Sequence, residues 1–275
     1  MRTCLTFIAL SVLQAVAFAE AGSIPESQIT RKVTAEGACA IVGMNAEQAQ
    51  KIALQQARAR AIEQVAGVSV SSSTLVTDFK AVAYFVLAYT KGVIVREEVE
   101  YPPAGQYQKD SSTAPIIEYR VRIVADVYIP ERRIKPIGLD AKINNSVYRK
   151  GEKMWVEVNV GRKAKIAIFN IMADDRIAML FPNEYEKSDI VSEKTSVVFP
   201  GKNSPVELVV HTLKGHNRDA EAILVVALDP ESARDFDNWF VRNETLAFAE
   251  FFRKYAGIAD YAENTVLVYE IVSGP

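Results

Sequence analysis

Two histidines, His211 and His216, flank a Lys214-Gly215 turn, with Asp219 and Glu221 close behind. A His-x4-His pair can hold one metal ion, but a working centre needs Cys, Asp or Glu side chains converging on the same point. A turn with scattered polar residues accounts for this segment without a metal. Asp174 and Asp175 are adjacent and project in different directions, as turn residues do. Asp235 and Asp237 belong to a helix start and do not share a helical face. The hydroxyl run Ser71-Ser72-Ser73-Thr74 has no His or acid at a spacing that would activate a nucleophile. Phosphate-loop, nucleophile-elbow and zinc-protease signatures do not occur. The sequence therefore assigns no catalytic, cofactor-binding or metal-ligating residue, and no cofactor.

Aromatic rings offer another route to a site. Trp155, Trp239 or Tyr255 could stack a sugar or a peptide. The densest cluster, Phe236, Trp239, Phe240, Leu246, Phe248, Phe251, Phe252 and Tyr255, recurs at intervals of three and four. That is the spacing a helix needs to dock on a sheet, so it predicts core packing. Asn144-Asn145-Ser146 and Asn243-Glu244-Thr245 match the glycosylation triplet, which carries meaning only in a eukaryotic secretory host.

The elements that must position these residues begin behind an export signal. Arg2 precedes an apolar run from Leu5 to Leu13, and Ala17-Phe18-Ala19 offers a small-x-small cleavage site. Cleavage after Ala19 leaves Glu20 as the mature N-terminus, and the run is too short for a membrane span. Cys4 lies within the signal and not at its cleavage point, so no lipid attachment is expected. Cys39 is then the single mature thiol; it lies on an alternating apolar face, as a buried inert cysteine does. The 275 residues are 49% hydrophobic and 24% charged with a net charge of −2. That is a folded globular balance, and it argues against a general nucleic-acid binder, which carries a concentrated basic stripe.

The pattern reads as α+β: a small antiparallel sheet with two helices over residues 23–130, a linker at 131–138, then a β-sandwich-like domain with a helical insertion over 139–275. Ile29, Val33, Ala35, Cys39 and Ile41 share one face of a first strand, and Gly37 marks a bulge or a close helix approach. Asn45 with Gln48 forms a capping box for a helix over about 46–66, stopped by Gly67. Its inner stripe is Ala49, Ala53, Leu54, Ala57, Ala61 and Val65. A second helix spans Asp78–Thr90. Strands follow at Val93–Glu100 and Ile117–Ile129, around a proline loop continued by the polar stretch Gln106–Thr113. Arg120 and Arg122, facing Arg96 or Glu98, read as a solvated sheet face with ion pairs.

Beyond Pro130–Gly138 the texture shifts to short strands at Lys153–Val160, Lys163–Ile171, Ile177–Phe181, Ser196–Phe199, Pro205–His211 and Glu221–Asp229. Asp229-Pro230-Glu231 opens a helical stretch with Pro near its first position and acids in its first turn. A last strand covers Thr265–Val272.

Two resemblances emerge. The stretch Val33-Thr-Ala-Glu-Gly-Ala-Cys-Ala-Ile-Val42, with the alanine-rich helix ending in Val65-Ala-Gly67 and Gly92-Val-Ile94, resembles the N-terminal domain of the flagellar assembly T protein and related small envelope lipoproteins. Tyr148-Arg-Lys-Gly-Glu152, Ala167-Ile-Phe-Asn170, Leu180-Phe-Pro-Asn183 and Phe199-Pro200 resemble the bacterial domain-of-unknown-function family 4384, whose members usually carry a small glycine-containing turn where this chain has Asp174-Asp175. The first resemblance implies an envelope assembly part and carries no catalytic residue. The second implies a β-sandwich adaptor.

Together these features lead to the expectation of a non-enzymatic bacterial envelope protein, soluble in the periplasm or, as second choice, secreted. It would act as an interaction or assembly module of a flagellar, secretion or surface complex, with envelope proteins as partners and no nucleic acid. The alternative is a hydrolase or binding module acting on peptidoglycan or surface glycan, which would need carboxylates gathered in a cleft.

Overall fold

The computed structural model describes residues 28–67, 85, 88–89, 91–108, 110–232 and 234–273. The candidate export signal, the Ser71–Thr74 run and most of the helix expected over Asp78–Thr90 lie outside these residues; Phe85, Ala88 and Tyr89 are helical. The protein is α+β, built on antiparallel sheets.

Strand β1 (Ile29–Ala40) buries Val33, Ala35, Gly37 and Cys39 on alternate positions. Its register slips between Thr30 and Val33, with Lys32 at φ 56°, so the clean alternation starts at Val33. Helix α1 (Ala46–Ala66) opens with the expected capping box, Asn45 and Gln48 each accepting from the other's backbone N–H, and closes at Gly67 in the left-handed region. The alanine stripe brings α1 hard against β1. A Cβ at Gly37 would stand 1.9 Å from the Ala53 carbonyl oxygen, so the contact tolerates only glycine.

Strands β2 (Val93–Glu100), β3 (Gly105–Tyr107) and β4 (Ile116–Tyr128) complete the first sheet in the order β1-β4-β2, with β3 also on β4. The sequence suggests loop through Thr113, but the chain rejoins the sheet at Gly105. The longer β4 reaches past the end of β2 and leaves backbone groups that β3 satisfies. On the solvent face Arg122 meets Glu36 and Glu100, Arg120 meets Glu118, and Arg31 meets Asp126. The face is a solvated row of ion pairs, as expected, but the partners differ. Arg122 reaches Glu36 and Glu100 on the neighbouring strands, while Arg120 and Arg96 pair with Glu118 and Glu98 along their own strands. The register sets Arg96 opposite Asp126 and Glu98 opposite Val124.

The second half adds β5 (Asp140–Ile143), β6 (Val147–Arg149), β7 (Lys153–Met154), β8 (Val156–Asn159), β9 (Ala164–Ile171), β10 (Arg176–Phe181), β11 (Ile190–Val191), β12 (Ser196–Phe199), β13 (Leu208–Val209), β14 (Arg218–Leu228), β15 (Thr245–Ala247) and β16 (Ala262–Val272), with helix α2 (Phe248–Ala259) before the last strand. Among the described residues these form a seven-stranded sheet, β15-β10-β9-β14-β16-β6 with β11 on β9, antiparallel except for β6 on β16, a three-stranded sheet, β12-β8-β5, and a two-stranded one, β13-β7. The two larger sheets enclose a core that includes Tyr148, Val156, Val158, Ile168, Phe199, Ile223 and Val225.

The other face of the seven-stranded sheet does not end the molecule. Ala222, Leu224, Val226 and Phe169 continue into a cluster that also holds α2, Phe85, Tyr89, α1 and the inner face of the first sheet. Helix α2 packs on β2. The layers are thus sheet, helices, sheet, sheet, with helices from both halves of the chain in one layer. This explains β14, which is buried along both faces from Asp219 to Leu228 although antiparallel sheets often keep one face wet.

The helical stretch expected from Asp229 is interrupted. Short 3₁₀ turns at Pro230–Ser232 and Phe236–Asn238 are followed by β15, and α2 starts only at Phe248. Asp235 caps its own turn by accepting from Asp237 N–H, and Asn243 sits at φ 64°, a conformation no helix interior holds. The segment 131–138 is docked on the second half. Asp260 accepts from Tyr128 Oη and from Glu131 N–H, and pairs with Arg133. The Glu263 carboxylate accepts from Ile137 N–H at 2.6 Å and Leu139 N–H at 3.2 Å.

Candidate functional site

The most concentrated polar chemistry lies where the two halves meet. Arg58, in the middle of α1, has only 4% of its side chain exposed. Its Nε and Nη2 donate to the two oxygens of Glu97 at 2.9 and 2.6 Å. Its Nη1 donates to both oxygens of Asp175 at 2.7 and 3.0 Å, and its guanidinium lies 4.4 Å from the centre of the Phe248 ring. Burial works against this charge, but Asp175 and Glu97 outweigh it and hold the proton well above the ordinary arginine range. Each element contributes by a local rule. Helix α1 buries more than its alanine stripe, including Gln55, Gln56 and Arg58. Glu97 shares strand parity with Val95 and Val99 and so faces inward on β2. Asp175 takes φ 66° in the β9–β10 turn, a left-handed conformation that short polar residues adopt more readily than most. Tyr89 borders the cluster with a buried hydroxyl that has no hydrogen-bond partner among the described residues, and burial raises its pKa well above the usual value.

A second polar group joins the start of α1 to the start of β14. His216 Nδ1 lies 2.6 Å from Asp219 Oδ1, both side chains being buried, and Asp219 Oδ2 accepts from Leu213 N–H at 2.6 Å. The carboxylate can only accept, so Nδ1 carries the hydrogen in this pair. Gln48 donates from Nε2 to the Arg218 carbonyl at 3.0 Å, closing α1 onto the strand. Two residues along β14, buried Glu221 accepts from Tyr269 Oη at 2.6 Å, Asn170 Nδ2 at 3.0 Å and Ala173 N–H at 3.3 Å. Burial is the largest influence and raises the Glu221 pKa, while these donors work in the opposite direction.

The residues singled out by sequence divide clearly. His211 is exposed and His216 is drawn to Asp219 instead of to its sequence neighbour. Among the described residues no group of three or more His, Cys, Asp or Glu side chains is arranged to hold a metal ion. Cys39 is buried against Met44, as its alternating face implies. The aromatic cluster is core: Phe236, Phe240, Phe248, Phe251, Phe252 and Tyr255 are all buried, and Trp239 covers Gly257 so closely that a Cβ there would meet its ring at 2.1 Å. Tyr255 takes a hydrogen bond from Asn264 and burial pushes its pKa up to about 12. Of the three candidate stacking rings, Trp155 is exposed at 38%, Trp239 is partly buried against the core, and Tyr255 is buried. Asp235 pairs with Lys165 and Asp237 with Arg242, so these acids tie neighbouring segments together.

Sequence reasoning passed over Arg58 and Glu97. The signals were present: an arginine flanked by Ala57 and Ala59, and an acid on the apolar parity of a strand. Neither names its partner, because Asp175 is 117 residues away from Arg58.

The fold and these ties define an α+β protein whose halves are joined through a shared helix layer and buried ion pairs. Residues 147–227 match the family model described as Domain of unknown function (DUF4384). The match begins with β6, includes the Leu180-Phe-Pro-Asn183 element and ends within β14, so α2, β16 and the first sheet lie outside it. Both Phe-Pro bonds of the matched segment are cis, and the rings of Phe181 and Phe199 stand 5.5 Å apart in its core. No curated protein matches the chain significantly.

Proposed function

We propose that the protein is an exported, non-enzymatic part of a bacterial envelope assembly, a module that binds partner proteins of a flagellar, secretion or surface complex from the periplasm. One observation carries the reading. Charged side chains from both halves of the chain engage one another and the backbone: Arg58 with Glu97 and Asp175, Asp260 with Tyr128 and Arg133, Glu263 with the linker, Asp219 with His216. Such ties fix the relative placement of two sheet units, which is what a rigid adaptor needs. The export signal and the N-terminal resemblance to the flagellar assembly T protein supply the address, with cleavage after Ala19. No helix of the described residues is long and apolar enough to cross a membrane, which fits a protein that works beside the bilayer.

The test is affinity purification of the tagged mature chain from its own cell envelope. Recovery of a specific envelope protein is the expected result. Recovery of none, together with binding to purified peptidoglycan, would overturn the reading in favour of a glycan-directed role. Cytoplasmic retention of the full-length chain would overturn the address.

A further inference from the structure

We infer that a polar row on α1 closes the outer edge of β1 and so keeps the chain from pairing, strand to strand, with a second copy of itself. Among the described residues β1 is paired only with β4, and its 12 residues make it the longest strand at the rim of any sheet. A long free rim is a template for another strand, because its unpaired N–H and C=O groups stand in a row. Ile41 N–H donates to the Ile117 carbonyl at 2.9 Å, which sets the parity. Odd residues of β1 from Val33 turn their backbone groups to β4, and even residues turn theirs outward. An incoming strand would therefore pair with Thr34, Glu36 and Ala38.

Those are the residues α1 has taken. Gln56 Oε1 accepts from Ala38 N–H at 3.4 Å, Arg60 Nη1 donates to the Glu36 carbonyl at 2.7 Å, and Gln64 Nε2 donates to the Thr34 carbonyl at 3.3 Å. The match is geometric. Four residues of helix advance about 6 Å, and two residues of strand advance about 6.6 Å. Helical residues spaced four apart thus stay in step with alternate residues of the strand beside them. Each of these side-chain groups stands where a neighbouring strand's own N–H or C=O would stand, so the rim is both satisfied and obstructed. At the start of β1 the slip between Thr30 and Val33 turns Lys32 N–H to Asp126 Oδ1 at 3.0 Å, and this bulge breaks the line of the rim. A second copy is the occupant kept out, since it offers the identical edge and could pair antiparallel about a two-fold axis. The closure is independent of the assembly role: it would stand if no envelope partner were found.

Sedimentation velocity of the full mature chain over a range of concentrations tests this. Thr34→Pro should leave the wild-type sedimentation unchanged; the Thr34 N–H points away from β4, so proline there spares the ladder. Arg60→Ala combined with Gln64→Ala should open the rim and tighten self-association about tenfold or more. Adding Thr34→Pro to that pair should reverse the gain. Should the double variant lose its native circular dichroism, Arg60→Ala alone takes its place, because it removes the shortest of the three bonds and leaves the buried Gln56 untouched. A row that merely docks α1 would lower the melting temperature of these variants without any new association, and that result would overturn the proposal. So would a wild type dissociated by Thr34→Pro, or association in the opened variant that Thr34→Pro leaves in place.

Discussion

Arg58 Nη1 lies 2.7 Å from Asp175 Oδ1, joining the middle of α1 to the β9–β10 turn across 117 residues of sequence. The same guanidinium grips Glu97 on β2, so one side chain links a helix, the first sheet and the seven-stranded sheet. Removing it leaves two carboxylates without their cation. Arg58→Met should cost about 3–5 kcal/mol, the range for breaking a buried pair by deleting one partner. Urea midpoints measure this, and an unchanged midpoint would show the pair to be dispensable.

Asp175 sets two effects against each other. Glycine would suit φ 66° better, by up to about 1 kcal/mol, but would abandon Arg58. A hydrogen-bonded charge pair is worth more, roughly 1.5–3 kcal/mol, so Asp175→Gly should be net destabilising. In an Arg58→Met background the same change should become neutral or stabilising, which a double-mutant cycle reads directly.

Two glycines differ in what a methyl group would strike. At Gly37 the new Cβ meets backbone, the Ala53 carbonyl oxygen at 1.9 Å and the Ala57 nitrogen at 2.7 Å, so the helix itself must move. At Gly257 it meets the Trp239 ring, a side chain able to turn away. Gly37→Ala should therefore cost about 3 kcal/mol or more and Gly257→Ala about 1–3 kcal/mol, the range for overpacking. Thermal melts of the two variants should fall in that order; the reverse order would contradict the close α1–β1 approach.

Stability should titrate with opposite signs at two carboxyls. Burial raises the Glu221 pKa in the fold, so its contribution is full below the unfolded value near 4.3 (about the ordinary Glu value) and is lost as pH rises through the folded value. The stability of the wild type relative to Glu221→Gln should thus decline between mildly acidic and neutral pH. Arg162 lowers the Asp229 pKa, so that contribution is present above the unfolded value and is lost as pH falls through the folded one. Relative to Asp229→Asn, the wild type should lose stability only on acidification below about pH 4. Urea midpoints across this range check both slopes.

The segment 131–138 carries Arg132, Arg133 and Lys135, yet its backbone is pinned by Asp260 and Glu263. Native protein should resist brief trypsin treatment there. Glu263→Ala frees the Ile137 and Leu139 N–H groups and should open cleavage after Arg132 and Arg133, Lys135 being protected by the following Pro136, yielding two fragments on a gel. Equal resistance would mean that the Asp260 ties suffice.

Local rules were enough for much of this protein. The capping box at Asn45 and Gln48, the Gly67 stop, the longer strands of both halves and the burial of Cys39 follow from spacing, because each depends on neighbours within a few residues. The short strands β3, β5, β6, β11 and β15 carry no such periodic signal. The segment from Asp229 to Ala247 misled, since proline and acids announce a helix start equally well ahead of isolated 3₁₀ turns. The meaning of Gly37 was half legible: its type signalled a close approach, and only the packing of α1 fixed the distance. What sequence could not decide was which groups from distant segments meet. Arg58 needed Asp175, Gln48 needed the Arg218 carbonyl, and α2 had to enter the layer that also holds α1. Such pairings are set by the stacking of whole sheets through a common hydrophobic cluster, and that cluster forms only when residues far apart in the chain are brought together.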